Sequence, residues 1–344
     1  MSVINQTNRL FGMLKKGFFP RMILLGPLQN YLKTLDKKDC FIVASKTVLE
    51  AKKEMLKAGL EFEDEDVFTF QGEPTNIILE DCMTAYSKKT YSFIFAIGGG
   101  SVIDLAKALK SKTSSELVVV PTTPGTGSEV TTFAIITDEN NVKQVLNGEE
   151  LMPDAVILDK TFLMSLPKET LGVMIFDILG HAMEARVSKF SNPFSDNFAE
   201  QAIRIIMRGL GNAVLDKEEY LEQIQIAGVL AGSAQGIAYT GLAHGFAHQI
   251  GPVLKIGHAK AVSIFLKDVM ELNIANSEAG KKIKKGWIDN LDKIYSLFGL
   301  EKVQLKLENK DELAEKIQKD ICTRTNPFRP TPDQILEILN KHEI

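Results

Sequence analysis

Histidine is rare in this chain of 344 residues, yet four of its five imidazoles lie near groups that could bind a metal. His181 follows Asp177 by four residues. His248 follows His244 by the same interval, and His258 comes shortly afterwards. An interval of four residues brings both side chains of a pair to one face of a helix. One carboxylate and two or three imidazoles from separate segments therefore predict a divalent-metal site with a position left for substrate.

A structural role is the alternative for each of these histidines, because a single histidine more often hydrogen-bonds within a fold than binds a metal. Their clustering, with small neighbours at Gly180, Gly245 and Gly257, favours the metal site. Glu184, one helical turn beyond His181, is either a rival ligand or a hydrogen-bond acceptor behind one. Such a donor set suits Fe(II), Zn(II), Mn(II) or Ni(II).

A glycine-rich turn lies between an apolar run and a helical pattern, at Gly98, Gly99, Gly100 and Ser101. Glycines let a phosphate approach the backbone, and the free N–H groups of a helix N-terminus attract its charge. Ile103 stands where the dinucleotide fingerprint GxGxxG has its third glycine, so a purely structural turn is the alternative.

A second polar loop, residues 121–131, follows another apolar run and supplies Thr122, Thr123 and Thr126. Two such loops at the carboxyl ends of strands predict a nucleotide site at that edge of a sheet. Two ordinary polar turns would give the same sequence pattern.

The elements that position these residues change in type along the chain. Apolar runs at 40–45, 67–70, 93–97, 117–123 and 155–159 predict strands of a mostly parallel sheet, because helical patterns separate several of them. Beyond residue 169 long helical periodicities dominate, and at the C-terminus Thr331, Pro332 and Gln334 predict a capped helix. We therefore predict an α/β dinucleotide-binding domain at 1–162 and an all-helical metal-binding and catalytic domain at 163–344.

Composition narrows the classes of function. A net charge of −4 gives no reason to expect a nucleic-acid partner. No apolar run approaches the roughly 18 residues that span a bilayer, and the first residues lack the pattern of a secretory signal. The three cysteines are widely spread, which is typical of a reducing compartment. We expect a cytoplasmic enzyme with no membrane partner.

Several motifs together identify a family that the chain resembles, the iron-containing (group III) alcohol dehydrogenases of the dehydroquinate synthase-like fold. The resemblance covers nearly the whole chain. It is carried by GGGSVIDLAKA (98–108), PTTPGTGSEVT (121–131), LMPDAVILD (151–159), DILGHAMEA (177–185), HGFAHQIG (244–251), GHAKAVSIFL (257–266) and the C-terminal TNPFRPT.

The resemblance implies roles for individual residues. The metal would be held by Asp177, His181, His244 and His258, and His248 would be a catalytic imidazole near the nicotinamide rather than a ligand. The cofactor would be bound by Gly98, Gly99, Gly100, Ser101, Asp104, Thr122, Thr123, Thr126 and Lys143.

Three positions depart from the family pattern. Glu73 stands where many members have asparagine, which puts one cofactor contact in doubt. Phe176 directly precedes Asp177 and Gly180 directly precedes His181, and we expect both to reshape the substrate pocket while leaving the ligands in place.

The implied enzyme transfers a hydride between a small alcohol, or its aldehyde, and NAD or NADP, with Fe(II) or alternatively Zn(II), as a homodimer. The divalent cation would lower the pKa of the alcohol oxygen, and His248 would relay the proton. Ser45 and Lys46, where NAD-preferring enzymes often have an acidic residue, predict that NADP is accepted at least as well as NAD. A hydroxyacid-oxoacid transhydrogenase, a dehydroquinate synthase-like lyase and a non-enzymatic nucleotide- or metal-binding protein are the alternatives.

Overall fold

The computed structural model describes residues 18–34, 39–140, 142–211, 218–301, 303 and 305–342. Its centre is a six-stranded sheet in the order β1-β8-β5-β4-β2-β3, with every neighbouring pair parallel. The strands are β1 (Met22–Leu25), β2 (Cys40–Ser45), β3 (Val67–Phe70), β4 (Phe93–Gly98), β5 (Glu116–Pro121) and β8 (Ala155–Leu158). All five predicted strands are present, with ends that differ from the prediction by no more than two residues.

Helices cover both faces of this sheet, as its continuously apolar strands require. They are α1 (Leu28–Leu32), α2 (Lys46–Lys57), α3 (Asn76–Tyr86) and α4 (Gly100–Lys110). The apolar core on one face of the sheet includes Leu28, Leu56 and Phe95, and the core on the other face includes Phe41, Ile94 and Leu105. The carboxyl ends of β2, β4 and β5 therefore open side by side at one edge of the sheet.

Three strands were missed by sequence reasoning. β1 is a short, half-exposed strand at the edge of the sheet. The strands β6 (Phe133–Thr137) and β7 (Lys143–Asn147) pair as an antiparallel hairpin. β7 is almost wholly exposed, so it lacks the apolar run by which the central strands were recognised.

Beyond β8 the chain is dominated by helices, which confirms the predicted change of architecture. They are α5 (Lys168–Val187), α6 (Pro193–Gly211), α7 (Glu218–Ala238), α8 (Leu242–Leu254), α9 (His258–Asn276), α10 (Lys285–Phe298), α11 (Lys310–Lys319) and α12 (Pro332–Lys341). One large apolar core joins them. The predicted capping box of α12 is confirmed, because Gln334 N donates to Thr331 Oγ1 and Thr331 N to Gln334 Oε1.

The predicted domain boundary after residue 162 falls between β8 and α5 and stays a prediction. In the described part of the chain, no single helix is long and apolar enough to cross a membrane. The segments 219–238 and 242–254 meet that criterion only as a pair, and they are bent by 102° relative to each other.

Candidate functional site

Helix α5 presents Asp177 and His181 on one buried face. Their side chains are 4% and 5% exposed, and Asp177 Oδ1 lies 3.9 Å from His181 Nε2. The interval of four residues therefore places both groups together, as predicted from the sequence. Inside so apolar a helix, an ionisable pair needs a partner that compensates for its removal from water.

Two further imidazoles converge on the same carboxylate oxygen. His244, in the first turn of α8, brings Nε2 to 3.7 Å from Asp177 Oδ1. His258, the first residue of α9, brings Nε2 to 3.8 Å from that oxygen. The rings of His181 and His244 stack with centroids 4.7 Å apart. We call these four residues the Asp177 cluster.

The cluster fits a metal ion better than it fits hydrogen bonds. Distances of 3.7–3.9 Å are too long for hydrogen bonds. Ligand bonds of about 2.1 Å arranged tetrahedrally place ligand atoms about 3.4 Å apart, which is close to these values. Among the described residues, neither Asp177 Oδ1 nor His244 Nε2 has a hydrogen-bond partner although both atoms are buried. A cation would satisfy both.

The four members are not equally close to one another. Ligand atoms of Asp177, His244 and His258 all lie within 4.8 Å of each other, a set that does not include His181. His258 also differs in exposure, because 42% of its side chain is accessible. The open side of the cluster is therefore at His258, where a substrate could approach.

Glu184 is a hydrogen-bond acceptor behind the cluster. Its carboxylate accepts hydrogen bonds from the backbone N–H groups of Gly241 and Ala243, at 2.8 Å and 2.5 Å. It also lies 2.6 Å from His244 Nδ1. A proton on Nδ1 leaves the Nε2 lone pair facing Asp177, the orientation that a metal-binding imidazole needs.

Burial and neighbouring charges together set the protonation of His181 and Asp177. Burial lowers the pKa of His181 to about 4, so that imidazole is neutral and its lone pair is free. Burial also opposes ionisation of Asp177, but the surrounding imidazoles, His181 first, outweigh it and lower the pKa of Asp177 to about 2. A neutral imidazole beside an ionised carboxylate is the state that binds a divalent cation.

His248 lies beside the Asp177 cluster and has other partners. Its ring centroid is 5.6 Å from that of His258, and its Nδ1 lies 3.3 Å from both carboxylate oxygens of Asp320. Burial opposes the charged form, but hydrogen bonds to Asp320 and Cys322 outweigh it and raise the pKa of His248 to about 9. Asp320 and Cys322 were not singled out from the sequence.

The two predicted nucleotide loops touch each other at the carboxyl edge of the sheet. A Cβ added to Gly99 would lie 2.9 Å from Thr123 Oγ1, and one added to Gly100 would lie 2.8 Å from Thr126 Cγ2. In the described structure Thr123 Oγ1 is buried and has no hydrogen-bond partner. Backbone at the start of α4 and an unpartnered hydroxyl thus form a cradle of the kind that binds phosphate.

Asp104 lies next to this cradle, but its carboxylate bonds to the protein. It accepts hydrogen bonds from Ser128 Oγ and, at 3.0 Å, from the backbone N–H of Ile135. A contact with the cofactor would have to compete with both bonds. Asp104 therefore braces α4 against the 121–131 loop and β6.

Lys107, one turn further along α4, is fully buried. It donates to Ser128 O at 2.9 Å, to Thr131 Oγ1 at 3.1 Å and to the carbonyl of Phe133. Burial lowers its pKa to about 8 and raises the pKa of the nearby Glu129 to about 7. The sequence pattern did not reveal this network, which holds the 121–131 loop in place.

Glycines on α7 let that loop lie directly against the helical half. A Cβ added to Gly228 would lie 2.1 Å from Pro124 O, and one added to Gly232 would lie 2.6 Å from Gly127 Cα. Gln235, on the same helix, donates to Thr126 O at 3.0 Å. Glycines at intervals of four residues were the available signal, and sequence reasoning missed it.

Two further predicted cofactor residues, Lys143 and Ser45, bond to other parts of the protein. Lys143 forms a 2.6 Å ion pair with Glu73, the residue that departs from the family pattern, and both side chains are more than half exposed. Ser45 caps α2, because its Oγ accepts a hydrogen bond from Val48 N at 3.3 Å. Lys46 beside it is exposed.

The other two departures are buried within the helical half. Phe176 packs against Tyr295 with ring centroids 4.9 Å apart and has no exposed surface. A Cβ added to Gly180 would lie 2.9 Å from Val262 Cγ1 and 3.3 Å from His244 Cε1. These positions therefore shape the packing behind the predicted ligands. The expected effect on the substrate pocket would have to be transmitted through that packing.

Comparison with known proteins gives two matching family models. The model of iron-containing alcohol dehydrogenase matches residues 20–160. The model of the C-terminal part of the Fe-containing alcohol dehydrogenase family matches residues 173–292.

Curated relatives match over most of the chain or over part of a larger protein. The NAD-dependent methanol dehydrogenase of Bacillus methanolicus is 30% identical and aligns with 89% of this chain and 91% of its own length. The NADPH-dependent butanol dehydrogenase of Clostridium saccharobutylicum is 30% identical over 72% of this chain and 75% of that protein. The aldehyde-alcohol dehydrogenase 2 of Entamoeba histolytica is 34% identical over 52% of this chain, which spans only 24% of that longer protein.

Solved structures agree with this fold. An iron-containing alcohol dehydrogenase from Thermococcus thioreducens superposes with a TM-score of 0.82 at 26% identity. The superposition covers 95% of this chain and 99% of that one.

Proposed function

The chain belongs to the iron-containing alcohol dehydrogenase family, and we propose that the Asp177 cluster is its metal site. As a member of that family it is an NAD(P)-dependent oxidoreductase that interconverts alcohols and aldehydes. The observation that supports the site assignment is the convergence of three imidazole nitrogens on one buried carboxylate oxygen at 3.7–3.9 Å.

The donor set suits a divalent cation, with Fe(II) as the proposed metal and Zn(II) as the alternative. When bound, such an ion acts as a Lewis acid on an alcohol or carbonyl oxygen. The residues of the chain supply the rest. Asp177 provides the single negative charge, Glu184 fixes the ring of His244, and His258 lies at the accessible side.

His248 is the proposed proton relay. It is adjacent to His258, and Asp320 holds its Nδ1, so its Nε2 is left for exchange with a substrate oxygen or water. Asp320 is well placed to orient the imidazole and to compensate for its positive charge while it carries the proton.

The cradle between the Gly98–Ser101 turn and the 121–131 loop is the proposed pyrophosphate site. The N–H groups at the start of α4 and the hydroxyl of Thr123 would contact the phosphates. We further propose that NADP is accepted at least as well as NAD, since Ser45 and the exposed Lys46 offer nothing that repels a 2′-phosphate. The two relatives whose names specify NAD and NADPH are consistent with either cofactor.

A cytoplasmic location and a homodimer complete the proposal. The three cysteines are free thiols, as expected of a reducing compartment. Light scattering of the purified protein would give twice the chain mass if it is a dimer.

A substrate panel tests the function. Anaerobically purified enzyme, loaded with Fe(II) or Zn(II), is assayed with short-chain alcohols and aldehydes and with each nicotinamide cofactor. We expect metal-dependent formation or consumption of NAD(P)H with at least one alcohol–aldehyde pair. Hydride exchange between a hydroxy acid and an oxo acid without cofactor release would instead identify a transhydrogenase.

A further inference from the structure

A second set of side chains that could bind a metal lies next to the Asp177 cluster. Ligand atoms of His248, Asp320 and Cys322 all lie within 4.8 Å of one another. The His248 side chain is 33% exposed, so an ion could reach the set from solution, and the Asp320 side chain lies further inside at 7% exposure. We call this set the His248 cluster. It shares no residue with the Asp177 cluster.

The local backbone brings the three groups together. Helix α11 ends at Lys319, and Asp320 Oδ1 accepts a hydrogen bond at 2.9 Å from the backbone N–H of Cys322. This bond turns the chain so that a carboxylate and a thiol two residues apart face the same imidazole on α8. Gln249 also donates to Asp320 Oδ2, at 3.0 Å, and fixes the carboxylate.

The contact between His248 and Asp320 is long for a hydrogen bond. Nδ1 lies 3.3 Å from both carboxylate oxygens, whereas N–H···O bonds centre on about 2.9–3.0 Å. The measured distance is close to the separation of about 3.4 Å between nitrogen and oxygen ligands of a tetrahedral Zn(II).

The charges and donor types also favour one kind of ion. With a thiolate, a carboxylate and a neutral imidazole the ligands carry two negative charges, which a divalent cation neutralises. Sulfur, nitrogen and oxygen ligands in one site suit Zn(II) or Co(II), whereas the Asp177 cluster contains no sulfur.

We propose that the His248 cluster is a second, sulfur-containing site for Zn(II)-like ions. Binding would form bonds from the metal to His248 Nδ1, an Asp320 oxygen and Cys322 Sγ, and it would release to solvent both the thiol proton and the proton that His248 carries on Nδ1. Water completes the coordination. If His248 relays protons as proposed above, an ion held on Nδ1 stops the relay, so excess Zn(II) would inhibit the enzyme.

Titration of the metal-free protein with Co(II) tests the site without relying on activity. Thiolate ligation of Co(II) gives a sulfur-to-metal charge-transfer absorption in the near ultraviolet, which ligands of the Asp177 cluster cannot give. We expect two Co(II) ions per chain and this absorption in the wild-type protein. Cys322→Ser should bind one fewer ion and lose the absorption.

Two further variants identify the source of the signal. His258→Ala should lose the ion of the Asp177 cluster while keeping the thiolate absorption, which separates failure of this proposal from failure of the proposed function. Cys82→Ser, which changes a buried thiol in the sheet domain, should keep the full signal. Absence of the absorption from the wild-type protein at saturating Co(II), or its persistence in folded Cys322→Ser, would overturn the proposal.

Discussion

His248 differs from the three histidines of the Asp177 cluster in the carboxylate that it contacts. The imidazoles of the Asp177 cluster face one carboxylate oxygen, whereas His248 faces Asp320. The sequence interval of four residues between His244 and His248 gives no indication of this difference. It arises because the turn after α11 brings Asp320 to His248, while α5 brings Asp177 to His244.

His248→Ala should therefore keep the metal and lose the rate. We expect near-normal metal content together with a fall in kcat of roughly 10²–10⁴-fold, the usual effect of removing a positioned acid or base. Elemental analysis and steady-state kinetics on the same preparation decide the matter. Loss of the metal along with the rate would place His248 among the ligands.

Residue types and spacing predicted that the histidines lie together, but they left the role of Glu184 open. In the structure Glu184 makes three contacts, to His244 and to the start of α8, which favours a role as hydrogen-bond acceptor. These partners lie about 60 residues away in the sequence. No local pattern encodes such a contact, because it depends on how α5 and α8 pack.

At the scale of elements, the close approach of α7 to the 121–131 loop positions the proposed pyrophosphate site. Gly228, Gly232 and Gly236 lie one turn apart on α7, yet only at the first two would a Cβ come closer to the backbone of the loop than van der Waals contact allows. A Cβ at Gly236 would lie 3.5 Å from Thr131 Cγ2, an ordinary contact. The helix thus offers its own matched control.

Gly232→Ala should displace the loop and weaken cofactor binding. A methyl group 2.6 Å from Gly127 Cα cannot be accommodated without moving backbone, and overpacking of this kind costs about 1–3 kcal/mol of stability. Gly236→Ala should be neutral, or more stable by up to about 1 kcal/mol from its higher helix propensity. Thermal unfolding and NAD(P)H titration of both variants check this. Equal cofactor affinity in the two would show that the loop tolerates displacement.

The prediction on cofactor choice concerns Ser45, the last residue of β2. Ser45 caps α2 through its side-chain oxygen, and Asp or Asn can make the same bond. Ser45→Asp should weaken NADP binding roughly fivefold relative to NAD, as expected for about 1 kcal/mol of repulsion between exposed charges. Ser45→Asn, which keeps the cap without the charge, should not. Strict use of NAD by the unaltered enzyme, or equal loss of both cofactors in Ser45→Asp, would refute the prediction.

At the scale of the whole molecule, sequence reasoning predicted the architecture but few of the contacts between its elements. The buried strands and the long helices could be predicted from the spacing of their apolar residues. The β6–β7 hairpin could not, because β7 is exposed and its apolar and polar residues alternate only weakly. The Lys107 network and the α7 glycines also escaped prediction, since both depend on contacts between elements distant in the sequence.

The Asp177 cluster depends on all of this packing at once. Helix α5 supplies two of its residues, and α8 and α9 supply one each. A metal at this point would tie three helices together and would stabilise the folded state by mass action. Its presence is consequently the claim on which the proposed function rests most heavily.

The metal content of His258→Ala tests that claim most directly. His342→Ala is the matched control, because it removes a histidine paired with Asp268 outside the cluster. Both variants are purified anaerobically beside the wild-type protein, and iron and zinc per chain are measured by elemental analysis. We predict that His258→Ala loses most of its metal and all measurable turnover, whereas His342→Ala retains both. Full metal content and activity in His258→Ala would contradict the assignment of the Asp177 cluster as the metal site.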